Sequence, residues 1–148
     1  MFTREIHTER EIDAPPERVW EVLTDFAAYG AWNPQITAVE GVAVEGADVD
    51  LTVQHRGRER SITATITAVE PARRLEWVAS LGGPWLYEGR HTFELRAHDG
   101  DRTEFVNREH VSGITAPLIV RPGSDEAYEA MNRALAERVR ALERDDTP

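Results

Sequence analysis

His91 and Glu109 are the residues of this chain best placed to do chemistry, and strand phase is what places them. In Tyr87-Glu88-Gly89-Arg90-His91-Thr92-Phe93-Glu94-Leu95-Arg96, positions 88, 90, 94 and 96 carry charge, so that face meets water. Side chains alternate across a strand, which makes Tyr87, Gly89, His91, Phe93 and Leu95 the inward face. The strand from Thr103 to Val111 repeats the pattern, with Glu104, Arg108 and His110 outward and Phe105, Asn107, Glu109 and Val111 inward. An imidazole and a carboxylate aimed into an apolar interior cost stability unless partners or a polar ligand satisfy them. Three uses stay open. The two groups can hydrogen-bond to each other, to Asn107, to Tyr87 or to buried water; they can orient a ligand hydroxyl or carbonyl; or they can move protons on a bound substrate. His55 is also phased inward, at a strand end. Two histidines and a carboxylate are a donor set that iron or zinc accepts, but nothing fixes their mutual distance, and no metal site is assigned.

Other chemistries have no residues to run on. The chain holds no Gly-x-Ser-x-Gly elbow, no His-Glu-x-x-His pair, no Gly-x-Gly-x-x-Gly and no phosphate loop. It has no cysteine, hence no thiolate nucleophile, disulfide framework or Cys-type zinc site. All 17 basic residues are arginine, which removes Schiff-base lysine chemistry. Against 27 acidic residues they leave a net charge of −10. An acidic chain without a basic run is a poor partner for nucleic acid, because neutralising phosphates dominates that affinity. The acidity fits a compositional bias with a solvated acidic surface, or adaptation to a high-salt interior in which dense carboxylates keep the chain soluble. At 148 residues, 41% of them hydrophobic, the chain reads as a single domain spanning 1–148. No apolar run is long enough for membrane insertion, and Met1 to Glu5 lack the pattern of a secretory signal, so cytoplasmic residence is expected.

The elements that must position these groups follow from periodicity and turn chemistry. Residues 2–12 read as a first strand with Phe2, Ile6 and Ile12 on one face. Pro15-Pro16 opens a short helix with Val19, Trp20, Leu23 and Phe26 on its apolar face, and residues 25–34 fit a second one that Asn33-Pro34 ends. Strands follow near 35–41, 48–56, 61–70, 73–80 and then at the two segments above, separated by turns such as Gly82-Gly83-Pro84 and Asp99-Gly100-Asp101. Residues 112–123 form a connection rich in apolar side chains, including Ile114, Leu118, Ile119 and Val120. A long helix from about Ser124 to Glu143 ends the pattern, with Ser124 or Asp125 as cap and Tyr128, Met131, Leu135, Val139 and Leu142 at helical spacing. Antiparallel strands need a cover on one face, and this helix supplies it.

Ala14-Pro15-Pro16-Glu17-Arg18-Val19-Trp20, Asp25-Phe26 with Tyr29, Trp32-Asn33-Pro34 with Ile36, Gly89-Arg90-His91-Thr92-Phe93-Glu94-Leu95, Arg108-Glu109-His110-Val111-Ser112-Gly113 and Met131-Asn132-Arg133-Ala134-Leu135 together carry a resemblance. Over essentially the whole chain the sequence resembles the helix-grip, START-like (SRPBCC) superfamily, which includes the Bet v 1-type proteins and the polyketide cyclase/dehydrase and lipid-transfer group. The resemblance implies an α+β fold in which a curved antiparallel sheet, with two short helices after its first strand, wraps round a long C-terminal helix. It also implies an apolar ligand cavity. The expected function is binding of a small hydrophobic molecule, lipid- or polyketide-like, without a cofactor. The expected lining is Trp32, His55, Trp77, Trp85, Tyr87, His91, Phe93, Asn107, Glu109, Leu118, Met131 and Leu135, with Trp32 and Trp85 at the pocket mouth. An enzymatic alternative is a polyketide aromatase/cyclase or dehydratase in which His91 and Glu109 are catalytic. A third reading is a protein-interaction module that docks a partner or a second copy through the apolar 112–123 segment. A monomer or a homodimer fits each.

Overall fold

Seven strands, each rich in β-branched or aromatic residues and bounded by Gly, Pro or Asp turns, form one antiparallel sheet. The computed structural model describes residues 2–120 and 123–145. The elements run β1 (Thr3–Ile12), α1 (Pro16–Thr24), a 3-10 turn (Phe26–Ala31), β2 (Ile36–Glu40), β3 (Asp48–His55), β4 (Arg58–Glu70), β5 (Arg74–Ser80), β6 (Glu88–His98), β7 (Arg102–Ser112), α2 (Ala116–Ile119) and α3 (Asp125–Asp145). The sheet order is β1-β7-β6-β5-β4-β3-β2, so every neighbour after β1 follows in sequence and β1 closes the far edge against β7. This is the α+β helix-grip architecture expected from the element order.

Two departures are local. Pro16 sits in the first turn of α1, where its missing N–H costs nothing, as expected. The second short helix is a 3-10 turn that stops at Ala31, and Asn33 then acts as the stop signal itself. Its Oδ1 accepts hydrogen bonds from the backbone N–H groups of Gln35 and Ile36, both at 2.9 Å, and turns the chain into β2. Phe2 does not share the buried face of β1. It lies before the strand and is 55% exposed, while Ile6, Thr8 and Ile12 face inward.

The antiparallel register collects the turns at two ends. Segments 13–15, 41–47, 71–73 and 99–101 lie at one end; segments 32–35, 56–57, 81–87 and 113–120 lie at the other. At the first end the concave face is filled. Val19, Leu23, Phe26 and Tyr29 pack with Leu75, Trp77, Phe93 and Phe105 and with Met131, Leu135 and Val139 of α3 in one core. A helix cannot follow a curved sheet along its whole length, and the second end stays less filled. A glycine holds that end together. At Gly113 (φ 114°) a Cβ would fall 2.5 Å from the Leu86 carbonyl oxygen, so only glycine lets the two segments close. The Ile114 N–H then reaches the Trp85 carbonyl at 3.0 Å and the Thr115 N–H reaches that of Leu86 at 3.2 Å.

Candidate functional site

The unfilled end of the concave face is a cavity of about 880 Å³, which falls within the ordinary range for small-molecule sites. Its inner wall consists of inward side chains from adjacent strands: Trp77 and Ala79 of β5, Gly89 and His91 of β6, Glu109 and Val111 of β7. The register sets them side by side, with Trp77 opposite His91, Ala79 opposite Gly89 and His91 opposite Glu109. Leu51, Val53 and Ile62 extend the apolar wall across β3 and β4. Tyr128 of α3 and Leu118, Ile119 and Val120 close it from the helical side. Gly89 has a specific part in this surface, because the Tyr87 ring lies across it. A Cβ at that position would sit 3.0 Å from the Tyr87 hydroxyl oxygen.

The inward phase of His91 and Glu109 is observed, and both line the cavity, but they do not form a pair. His91 Nε2 lies 2.7 Å from Asn107 Oδ1. Asn107 Nδ2 donates to Asn132 Oδ1 at 2.9 Å, Asn132 Nδ2 donates to Thr8 Oγ1 at 2.8 Å, and Thr8 Oγ1 donates to the Asn107 carbonyl at 3.0 Å. With the amides so oriented, the only role left for His91 Nε2 is donor. The imidazole is therefore the Nε2–H tautomer, with Nδ1 as an acceptor. Trp77, Phe93 and Tyr128 surround the ring, at centroid distances of 5.6, 4.3 and 5.6 Å. Burial in that aromatic shell lowers the His91 pKa to about 4, against the opposing hydrogen bond with Asn107, so the ring is neutral at pH 7.

Glu109 belongs to a second polar group. Tyr128 Oη is 3.5 Å from Glu109 Oε1, a long contact. Among the described residues the buried Glu109 Oε2 has no hydrogen-bond partner; the same holds for Gln35 Oε1. Burial raises the Glu109 pKa to about 8, only weakly countered by Tyr128, so at neutral pH this side chain is chiefly a carboxylic acid. Burial, with Glu109 adding to it, also pushes the hydroxyls of Tyr87 and Tyr128 well above their ordinary value. The wall thus presents a neutral donor at Glu109, a neutral acceptor at His91 and tyrosine hydroxyls, set in apolar surface.

Of the residues expected to line it, His55, Trp77, Tyr87, His91, Glu109 and Leu118 border the cavity. The others lie elsewhere. Phe93, Asn107, Met131 and Leu135 are fully buried in the layer beneath, where Phe93 stacks on Phe105 and Asn107 serves the polar chain. They are inward, as phase requires, but at the filled end or under the wall. Trp32 packs edge-on against Tyr29 off the cavity, and Trp85 is 59% exposed on the 81–87 segment, so neither forms the mouth. The mouth is built instead by His55, Arg56, Arg58 and Arg60 of the β3–β4 hairpin and by Leu118 to Val120 with Ser124, Glu126 and Ala127. Gln35 and Arg58 escape sequence reasoning for one reason: each lies at or just before the start of a strand, where alternation has too few residues to set a phase. Among the described residues no group of three His, Asp or Glu is placed to hold a metal ion.

The family described as "Polyketide cyclase / dehydrase and lipid transport" matches residues 3–145. The chain belongs to this family. Solved structures similar to this polyketide cyclase/dehydrase and lipid transport family member include a START superfamily protein from Mycobacterium smegmatis, 18% identical, with a TM-score of 0.74 over 93% of this chain and 98% of that one. A protein from Thermus thermophilus is 23% identical, with a TM-score of 0.75 over 94% and 99% of the two chains. The Zhui aromatase/cyclase from a Streptomyces species is 24% identical, with a TM-score of 0.62 over 96% and 89%. At these identities the likeness is one of fold. No curated protein matches the chain. Among the described residues no helix of this family member is long and apolar enough to cross a membrane.

Proposed function

We propose that the chain binds a small hydrophobic molecule bearing a carbonyl or hydroxyl group, with the apolar body against Trp77, Ala79 and Val111 and the polar group at Glu109. One observation carries this reading: the Glu109 carboxyl group lies on the wall of an otherwise largely apolar cavity, and among the described residues its Oε2 has no hydrogen-bond partner. A buried polar atom left unsatisfied costs about 1–3 kcal/mol, and a turn of the carboxyl group toward a ligand acceptor in the cavity removes that cost. Membership of a family that includes lipid transport supports the same class of ligand. The test is titration with the neutral fluorophore N-phenyl-1-naphthylamine. Binding near micromolar, about −8 kcal/mol, is expected. Ala79→Trp, which fills the cavity from β5, should abolish it; affinity unchanged by that variant would place the probe elsewhere and end the reading.

A second reading has its own support. A neutral acid and a neutral imidazole line one cavity, which is the equipment for proton transfer in a polyketide cyclisation or dehydration. In that case His91→Ala with Glu109→Gln leaves substrate binding nearly intact and lowers turnover by about 10²–10⁴-fold. Equal losses in binding and turnover would favour the carrier.

A further inference from the structure

We propose that the ligand is an amphiphile whose carboxylate head group is held at the cavity mouth by Arg58 and Arg60; this rests on the reading of the cavity as a ligand pocket and names the ligand class. Strand β4 begins at Arg58, and Arg58, Arg60 and Ile62 share one face of it. Ile62 is part of the apolar wall, so both guanidinium stems start from the concave side, at the edge of the cavity. The register places His55 opposite Arg58 and Val53 opposite Arg60, and all four border the same opening. Arg56 joins them from the two-residue turn, where it holds a left-handed conformation (φ 53°) at a position that favours asparagine or glycine. His55 registers the cluster: burial, then the charges of Arg56 and Arg60, lowers its pKa, so it adds no further cation at neutral pH.

The contrast with the arginines of β5, β6 and β7 is what points to a ligand, since outside the mouth only Arg4 and Arg10 of the edge strand β1 have no carboxylate within 4.0 Å among the described sheet residues. Arg74 pairs with Glu70 at 2.7 Å, Arg90 with Glu76 at 2.7 Å, Arg102 with Glu11 at 2.7 Å, and Arg108 with Glu94. In a chain with ten more acidic than basic charges, carboxylates are plentiful. Yet among the described residues no carboxylate lies within 4.0 Å of the Arg56, Arg58 or Arg60 guanidinium. Glu126 borders the opening from α3 without such a contact. A neutral ligand gives no reason to gather three arginines there. A singly charged carboxylate does, since the overall field of the protein repels anions and a guanidinium fork binds carboxylate in two-point geometry.

The experiment compares decanoate with decanol, below their aggregation limits, by isothermal titration calorimetry on the wild type, on Arg58→Gln/Arg60→Gln and on Arg73→Gln. Arg73 lies in the β4–β5 turn at the opposite end of β4, and its replacement changes net charge without touching the mouth. The wild type should bind decanoate on the order of tenfold more tightly than decanol. That gap should close to near parity in the double variant and persist in Arg73→Gln. Equal affinity of the wild type for both ligands, or a gap that survives the double replacement, overturns the proposal while leaving the pocket reading in place. If neither ligand binds, the pocket reading falls and the carboxylate assignment falls with it.

Discussion

Glu109 is the residue whose environment and chemistry are most at odds, and pH exposes the conflict. Burial raises its pKa from 4.5 to about 8, so between those values the unfolded chain has released a proton that the folded one keeps. Stability therefore falls as pH rises through that window. His91 acts the other way. Its pKa drops from 6.5 to about 4, so over that range the unfolded chain binds a proton the folded one refuses, and stability rises with pH. The two slopes oppose each other between pH 4.5 and 6.5, which leaves Glu109 alone from 6.5 to 8. There the loss is on the order of 1–2 kcal/mol. Glu109→Gln keeps the shape and removes the titration, so its thermal midpoint should hold steady between about pH 6.5 and 8 while that of the wild type declines. Parallel pH profiles for the two proteins would show that Glu109 ionises freely in the folded state. Strand alternation made the inward direction of both groups legible in the sequence. Their separation into two hydrogen-bond systems was not, because the partners, Asn132 and Thr8 for one and Tyr128 for the other, come from elements distant in the chain.

At the scale of elements, α3 is fixed to the sheet by more than its apolar stripe. Met131, Leu135 and Val139 are buried as helical spacing requires, but Asn132 is buried too, one position off the stripe. It connects α3 to β7 through Asn107 and to the edge strand β1 through Thr8. A polar residue beside an apolar stripe reads as a solvated flank, so periodicity alone gives it no role. Asn132→Ala leaves Asn107 Nδ2 only the Met131 sulfur as acceptor, at 3.7 Å, and takes a donor from Thr8. The loss should be about 1–3 kcal/mol, seen as a lower urea midpoint with an unchanged slope. A variant as stable as the wild type would mean that the chain from His91 to Thr8 is accessory to docking of the helix. Asn33 was legible as a stop, and it stands where a hydrogen-bonded turn demands it. The close backbone approach at Gly113 was not, because it depends on the distant Leu86. The contour of the cavity was not legible in the same way. Phase tells which face is concave, but how far α1 and α3 fill it depends on where helices cross the strands, which no local pattern encodes. Phe93, Met131 and Leu135 were consequently expected on the wall and lie in the packed layer.

For the molecule as a whole, charge is the property that the interior does not explain. The convex face carries a lattice of exposed pairs, Arg74–Glu70, Arg96–Glu104 and Arg102–Glu11 among them. At its centre Glu76 is buried, and hydrogen bonds from Thr67, Thr92 and Arg90 outweigh the burial that opposes its ionisation, which keeps its pKa low. Exposed pairs of this kind contribute about 0–1 kcal/mol each, and salt screens them. Against that stands the net −10, whose self-repulsion salt relieves. Many of the surplus carboxylates, such as Glu40, Glu45 and Glu59, have no ion pair within 4.0 Å among the described residues, so relief should exceed loss. The expected outcome is a thermal midpoint that climbs between about 0.05 and 1 M potassium chloride by scanning calorimetry. Sodium sulfate is unsuitable for the same comparison, since sulfate also strengthens apolar burial; chloride isolates the screening. A midpoint that climbs steadily favours adaptation of the acidic surface to salt. One that falls would show that the convex pairs outweigh the repulsion and that the acidity is compositional.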